Sequence, residues 1–120
     1  MNHQNKNYKL GRDTKHRKSL KYNLVRSMVL HEKIVTTFAK AKYMQPTLEK
    51  IISLSKNEDL SSYRALLSFF RNDEVAAKKA FKIGMIMKKR PGGYSKIIKL
   101  GQRKGDSAHQ ACVMFSEVIS

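Results

Sequence analysis

Apolar side chains follow a helical period over most of this chain and a period of two near its end. Leu20, Leu24 and Met28 share one face of a first helix over roughly 14–30, with Asp13 or Thr14 available as its cap. Lys15, Lys18, Tyr22 and Arg26 fall on the opposite face, which would offer cations to phosphates. Arg17 and Lys21 lie nearer the apolar side, so the first turns are expected to project beyond the core. His31-Glu32 closes that helix, and the β-branched run Lys33-Ile34-Val35-Thr36 suits a short strand. Thr37 then caps a second helix through Phe38, Ala41, Met44, Leu48, Ile51, Ile52 and Ser55, with a kink expected at Pro46.

Asn57 to Asp59 reads as a break and a new cap. Leu60, Tyr63, Leu67 and Phe70 would form the inner face of a third helix. Asn72-Asp73 starts a fourth, with Ala76, Ala80, Ile83 and Met87 inward and Gly84 as a weak point. Pro91-Gly92-Gly93 ends it. Alternation then takes over in Tyr94 to Leu100 and in Ala111 to Ser116, joined by the basic loop Gly101 to Asp106 as a hairpin. The expected fold is α/β, a two-layer single domain in the order helix, strand, three helices, two strands. It occupies residues 13–120 and follows a flexible basic arm, residues 1–12, where Tyr8 and Leu10 are too few to build a core.

Charge changes the picture most. The 120 residues carry 25 Lys+Arg against 9 Asp+Glu, a net +16, far above the magnitude of about 2–8 that serves solubility in a small domain. A polyanionic partner follows. Residues 1–42 alone hold 11 basic and 2 acidic residues, so the excess is concentrated early. Lys outnumbers Arg 18 to 7, which favours phosphate contacts over bidentate reading of base edges. Tyr8, His16, Tyr22 and Tyr94 interleave rings with these cations and suit stacking on unpaired bases. Two of them have a second reading: Tyr22 resting against the sheet, and Tyr94 sealing the core edge.

Catalytic chemistry finds little support. The single Cys112 excludes an intrachain disulfide and sits in a strand-like alternation. His3, His16, His31 and His109 are scattered, and His31-Glu32 lacks the second His that a zinc-protease helix requires. Glu58-Asp59 and Asp73-Glu74 are helix-start chemistry, and Gly92-Gly93 lacks the Lys-Ser/Thr of a phosphate-binding loop. No cofactor, metal or small-molecule substrate is expected, and no enzyme activity. The longest uncharged stretch, Ser107 to Ser116, is short of the roughly 18 apolar residues of a membrane span. No signal peptide is evident, and a cytoplasmic location is the expectation.

Gly11-Arg12, His16-Arg17, Asn23-Leu24, the run Leu30 to Thr37 and Lys40-Ala41-Lys42 occur in an order that resembles the bacterial large ribosomal subunit protein 17 family. Gly92-Gly93-Tyr94-Ser95-Lys96-Ile97-Ile98-Lys99 and the turn Arg103 to Ala108 extend the resemblance over nearly the whole chain. It implies a structural protein of the large ribosomal subunit, near the rim of the polypeptide exit tunnel, with large-subunit rRNA and neighbouring ribosomal proteins as partners. Carried over by position, His3, Arg12, His16, Arg17 and Lys18, then Lys40 and Lys42, then Tyr94, Lys96, Lys99, Arg103 and Lys104 would contact rRNA. Lys6 and Lys9 of the arm, with Lys15 and Arg26 of the first helix, join them on charge and face alone. The family usually has Arg where Asn2 and Tyr22 stand, and Pro-Met where His109-Gln110 stand. A nucleoid protein or RNA chaperone is the alternative that composition leaves open.

Overall fold

A computed structural model describes residues 13–119. Its elements are α1 (Thr14–His31), β1 (Lys33–Thr37), α2 (Phe38–Ser55), α3 (Leu60–Phe69), α4 (Glu74–Ile86), β2 (Ser95–Gln102) and β3 (His109–Phe115). Each helix starts where a short oxygen-bearing side chain satisfies an orphan amide. Asp13, Thr37, Asp59 and Asp73 accept from the backbone N–H of His16, Lys40, Ser62 and Ala76 respectively. α1 ends on Glu32 in the left-handed region (φ 69°), whose N–H donates to Met28. The Glu32 carboxylate reaches Lys79 of α4 at 2.6 Å, so the helix end is tied across the fold.

The three strands form one antiparallel sheet in the order β1-β3-β2. The alternation places Ala111, Val113 and Phe115 on the helix side, where all are buried. The other face is open: Val35 and Ile98, aligned across Cys112, are 57% and 42% exposed. This is a two-layer arrangement with helices on one side only. α2 lies at its centre and packs against every other helix and all three strands. Its buried row is the expected Ala41, Met44, Leu48, Ile51, Ile52 and Ser55. Pro46 is exposed within a helix that runs unbroken from Phe38 to Ser55.

Three expectations about faces need correction. α1 is rotated: its buried residues are Val25, Met28 and Val29, whereas Leu20 and Leu24 are half-buried. Tyr22 and Arg26 therefore both make contacts within the domain. The Tyr22 ring lies against Phe69 (centroids 5.9 Å apart) with the Arg71 guanidinium 4.2 Å from its centroid. Its hydroxyl donates to the Phe70 carbonyl, so Tyr22 secures the α3–α4 turn and does not rest on the sheet. Arg26 forms an ion pair with Asp73 at 2.7 Å. In α3 the buried residues are Ser62 and Leu66, followed by the C-cap Phe70, while Leu60 is 62% exposed. From Leu20 onward the apolar residues of α1 are spread around the helix, so its sequence leaves the phase open, and contacts with residues nearly fifty positions away decide it.

The entry to β3 is paired on both sides, with a bulge in the facing part of β2. His109 pairs with Gln102, and Gln110 pairs with Gly101 on one side and Thr37 on the other. A bulge between Lys99 and Gly101 precedes the hairpin turn, and Gly101 holds φ +98°, a conformation that favours glycine.

Candidate nucleic-acid interface

The first turns of α1 present Lys15, His16 and Lys18 to solvent. Arg17 beside them is half-buried; its guanidinium donates to Thr14 Oγ1 at 3.1 Å, and its carbonyl accepts from the Tyr43 hydroxyl at 3.3 Å. The Lys21 ammonium sits 4.7 Å from the Tyr43 ring centroid. Tyr43 belongs to α2, so the start of α1 is joined to the second turn of α2. The first turn of α2 carries Lys40 and Lys42, and here the Phe38 ring collects two cations. Lys42 Nζ lies 5.6 Å from its centroid and Lys99 Nζ, from β2, lies 4.9 Å away. Each such contact at an exposed site is worth only about 0.5–1 kcal/mol, so these ammonium groups can be recruited by a stronger anion.

Segments that look separate in sequence are thus brought together. The starts of α1 and α2 and the far end of the β2–β3 hairpin adjoin through two rings, Tyr43 and Phe38. The helical spacing puts Phe38 on the core row and Lys21 nearer the apolar side, and it singles out neither Lys21 nor Tyr43 as a site residue. The signal was present: Phe38 and Tyr43 bracket Lys40 and Lys42, giving aromatic and basic residues interleaved over two turns. His109 and Gln110 were also overlooked as site residues. With Phe38, Lys99 and Gly101 they line a cavity of about 250 Å³ at this junction.

The basic patch expected around the closing strands is divided. Strand alternation sends Lys96 and Lys99 to opposite faces, Lys96 to the open face and Lys99 to the helix side at Phe38. Lys104 is exposed at the turn. Arg103 is engaged within the turn, where its guanidinium donates to both Asp106 carboxylate oxygens. Tyr94 is 4% exposed and so has no face for a base. Its hydroxyl accepts from Lys56 Nζ at 2.9 Å and its backbone N–H donates to Glu49, so it seals the core edge. Arg26 is paired with Asp73 across the fold, with 41% of its side chain still exposed. His3, Lys6, Lys9 and Arg12 lie outside the described residues.

A larger cleft, about 460 Å³, lies between α3 and α4, walled by Leu60, Tyr63 and Phe81. Glu58 and Asp59 at its edge outnumber Lys78, so it does not suit a polyanion. Among the described residues there is no group of three His, Cys, Asp or Glu side chains placed to hold a metal ion, and no helix is long and apolar enough to cross a membrane.

The intramolecular ion pairs make stability depend on pH. The Arg103 hydrogen bond, aided by the Ala108 N–H, pushes the Asp106 carboxyl down to about 2. Arg26 and the Ala76 N–H likewise hold Asp73 below the ordinary carboxylate value, and the Ser62 side chain and N–H do so for Asp59. A carboxylate depressed on folding stabilises the native state above its unfolded pKa, and that contribution is lost as pH falls through the folded value. Thermal stability is therefore expected to hold near pH 5 and to fall between about pH 4 and pH 2. Asp73→Asn with Asp106→Asn should lower the plateau and shrink that fall. An acid-limb melting curve unchanged by the double substitution would contradict these pairings.

Comparison with known proteins gives a consistent picture. The family model described as Ribosomal protein L17 matches residues 20–116. The Large ribosomal subunit protein bL17 of Trichlorobacter lovleyi is 43% identical over 117 residues, covering 98% of this chain and 94% of that protein. The protein of the same name from Hyphomonas neptunium is 46% identical over 90% of this chain and 77% of its own. That from Pelobacter propionicus is 42% identical, over 98% and 92%.

Proposed function

The chain belongs to the ribosomal protein L17 family, and from that membership we propose that it is a structural constituent of the large ribosomal subunit that binds large-subunit rRNA. The observation that carries this is full-length similarity to proteins named as large-subunit components. It works in the ribosome and performs no catalytic step. A nucleoid protein or RNA chaperone would need to account for that similarity, and nothing in the fold favours either.

The rRNA-facing surface we propose is the junction of the starts of α1 and α2 with the end of the hairpin. Lys15, His16, Arg17, Lys18, Lys40, Lys42, Lys99 and Lys104 lie on those three segments. Lys96 adds a cation on the open sheet face. His3, Lys6, Lys9 and Arg12, which precede α1 in the sequence, complete the set we propose. Lys-dominated contacts of this kind position a protein on the backbone of folded RNA and contribute little sequence reading. A place near the exit-tunnel rim, beside other large-subunit proteins, completes the proposal.

Sedimentation tests it. A tagged copy expressed in a bacterial host whose own L17 protein has been depleted should migrate with the large subunit and stay there through a moderate salt wash. Migration with the free-protein fractions, or with nucleoid DNA, would overturn the ribosomal assignment.

A further inference from the structure

We propose that the cavity beside Phe38 takes a single unpaired nucleotide of RNA, with its base against the Phe38 ring and its phosphates on Lys42 and Lys99. This deepens the rRNA-binding reading above and rests on it.

The cavity is about 250 Å³, room for one nucleobase, and Phe38, Lys99, Gly101, His109 and Gln110 line it. Each contributes a different part of nucleotide chemistry. Phe38 is only partly buried, so its ring remains reachable, and an aromatic face stacks on any base. The Gln110 amide is both donor and acceptor, and the His109 imidazole offers one of each when neutral; both can meet a base edge. The bulge at Lys99/Gly101 opens the strand beside the ring, and nothing lies within 4 Å of where a Gly101 Cβ would stand. No acidic residue lines the cavity, and two ammonium groups stand 4.9 and 5.6 Å from the ring centroid. A protein partner would find cations without a matching reason for the exposed ring. An RNA nucleotide uses both. Charge-assisted bonds to phosphate are stronger than exposed cation–π contacts, so an arriving nucleotide draws Lys42 and Lys99 off Phe38 and frees the ring for the base.

Two fluorescein-labelled oligomers of equal phosphate number separate base from backbone: a single-stranded oligoadenylate and its abasic counterpart. Anisotropy titrations with the full chain should show the oligoadenylate bound more tightly. Phe38→Leu keeps the apolar volume and removes the ring face; it should weaken oligoadenylate binding about tenfold while leaving the abasic oligomer unchanged. His109→Ala should shift the oligoadenylate alone, in the same direction. Thermal melts of both variants establish that they fold. Equal affinity for the two oligomers, or a Phe38→Leu effect shared by both, would reduce the cavity to a phosphate contact and overturn the proposal. That outcome is independent of the sedimentation result, so the nucleotide site can fail while the ribosomal assignment stands.

Discussion

Replacing Gly84 with Ala is expected to destabilise the domain severely, although helix propensity alone favours Ala by about 0.8–1 kcal/mol within a helix. A Cβ at Gly84 would stand 2.5 Å from the Ser55 carbonyl carbon and oxygen and 2.6 Å from Ser55 Cβ. α4 and α2 cross there with no side chain between them, and the small residues Ala76, Ala77 and Ala80 on the same buried side of α4 continue that approach. The obstacle is backbone, which cannot swing aside, so the helices must separate and disturb the packing of Ile83, Ile52 and Leu48. Overpacking of this kind costs about 1–3 kcal/mol or more. At about 4 °C per kcal/mol for a 120-residue domain, Tm should fall by roughly 4–12 °C. Ser55→Gly should fail to rescue it, because two of the three close atoms are main chain. A Gly84→Ala protein melting at or above the parent temperature would show that α2 and α4 do not cross this closely.

The second large effect concerns affinity. Lys15, Lys18, Lys42, Lys99 and Lys104 are all exposed, on three segments that adjoin around Tyr43 and Phe38. Changing all five to Gln should weaken binding to large-subunit rRNA by about a hundredfold or more at low salt. Each phosphate contact contributes a salt slope of about 0.7–0.9 log units per decade. Their exposure and absence from the ion pairs described make a folding defect unexpected, and the variant should keep the parent's circular dichroism spectrum. Unchanged affinity would mean that phosphates are met elsewhere.

Much of the architecture was legible because local chemistry and periodicity agree with the final fold. Asp13, Thr37, Asp59 and Asp73 each stand where a capping oxygen is needed. The six buried positions of α2 follow from spacing alone. Gly84 was visible as a weak point but not its reason, because the Ser55 backbone that requires it belongs to another helix. The phase of α1 was illegible for a similar cause: the partners of Tyr22 and Arg26, Phe70 and Asp73, are long-range. For the site, sequence identified cations but not their fates. Arg103 and Asp106, three residues apart, could have been read as a local pair; Arg26 could not. Nor could periodicity reveal that Lys42 and Lys99, separated by nearly half of the chain, share one ring.

The placement of charge, as opposed to its total, is most directly tested by two variants of equal charge. One carries the five Gln substitutions at Lys15, Lys18, Lys42, Lys99 and Lys104. The other carries five at Lys50, Arg64, Lys78, Lys82 and Lys89, also exposed but on the second half of α2, α3, α4 and the turn after α4. The salt dependence of binding to large-subunit rRNA is then measured for both. An interface at the α1, α2 and hairpin junction predicts a flattened slope for the first variant, by up to about 0.9 log units for each phosphate no longer neutralised, and a near-parental slope for the second. Equal flattening in the two would make the net +16 a diffuse attraction and contradict a localised rRNA-binding surface.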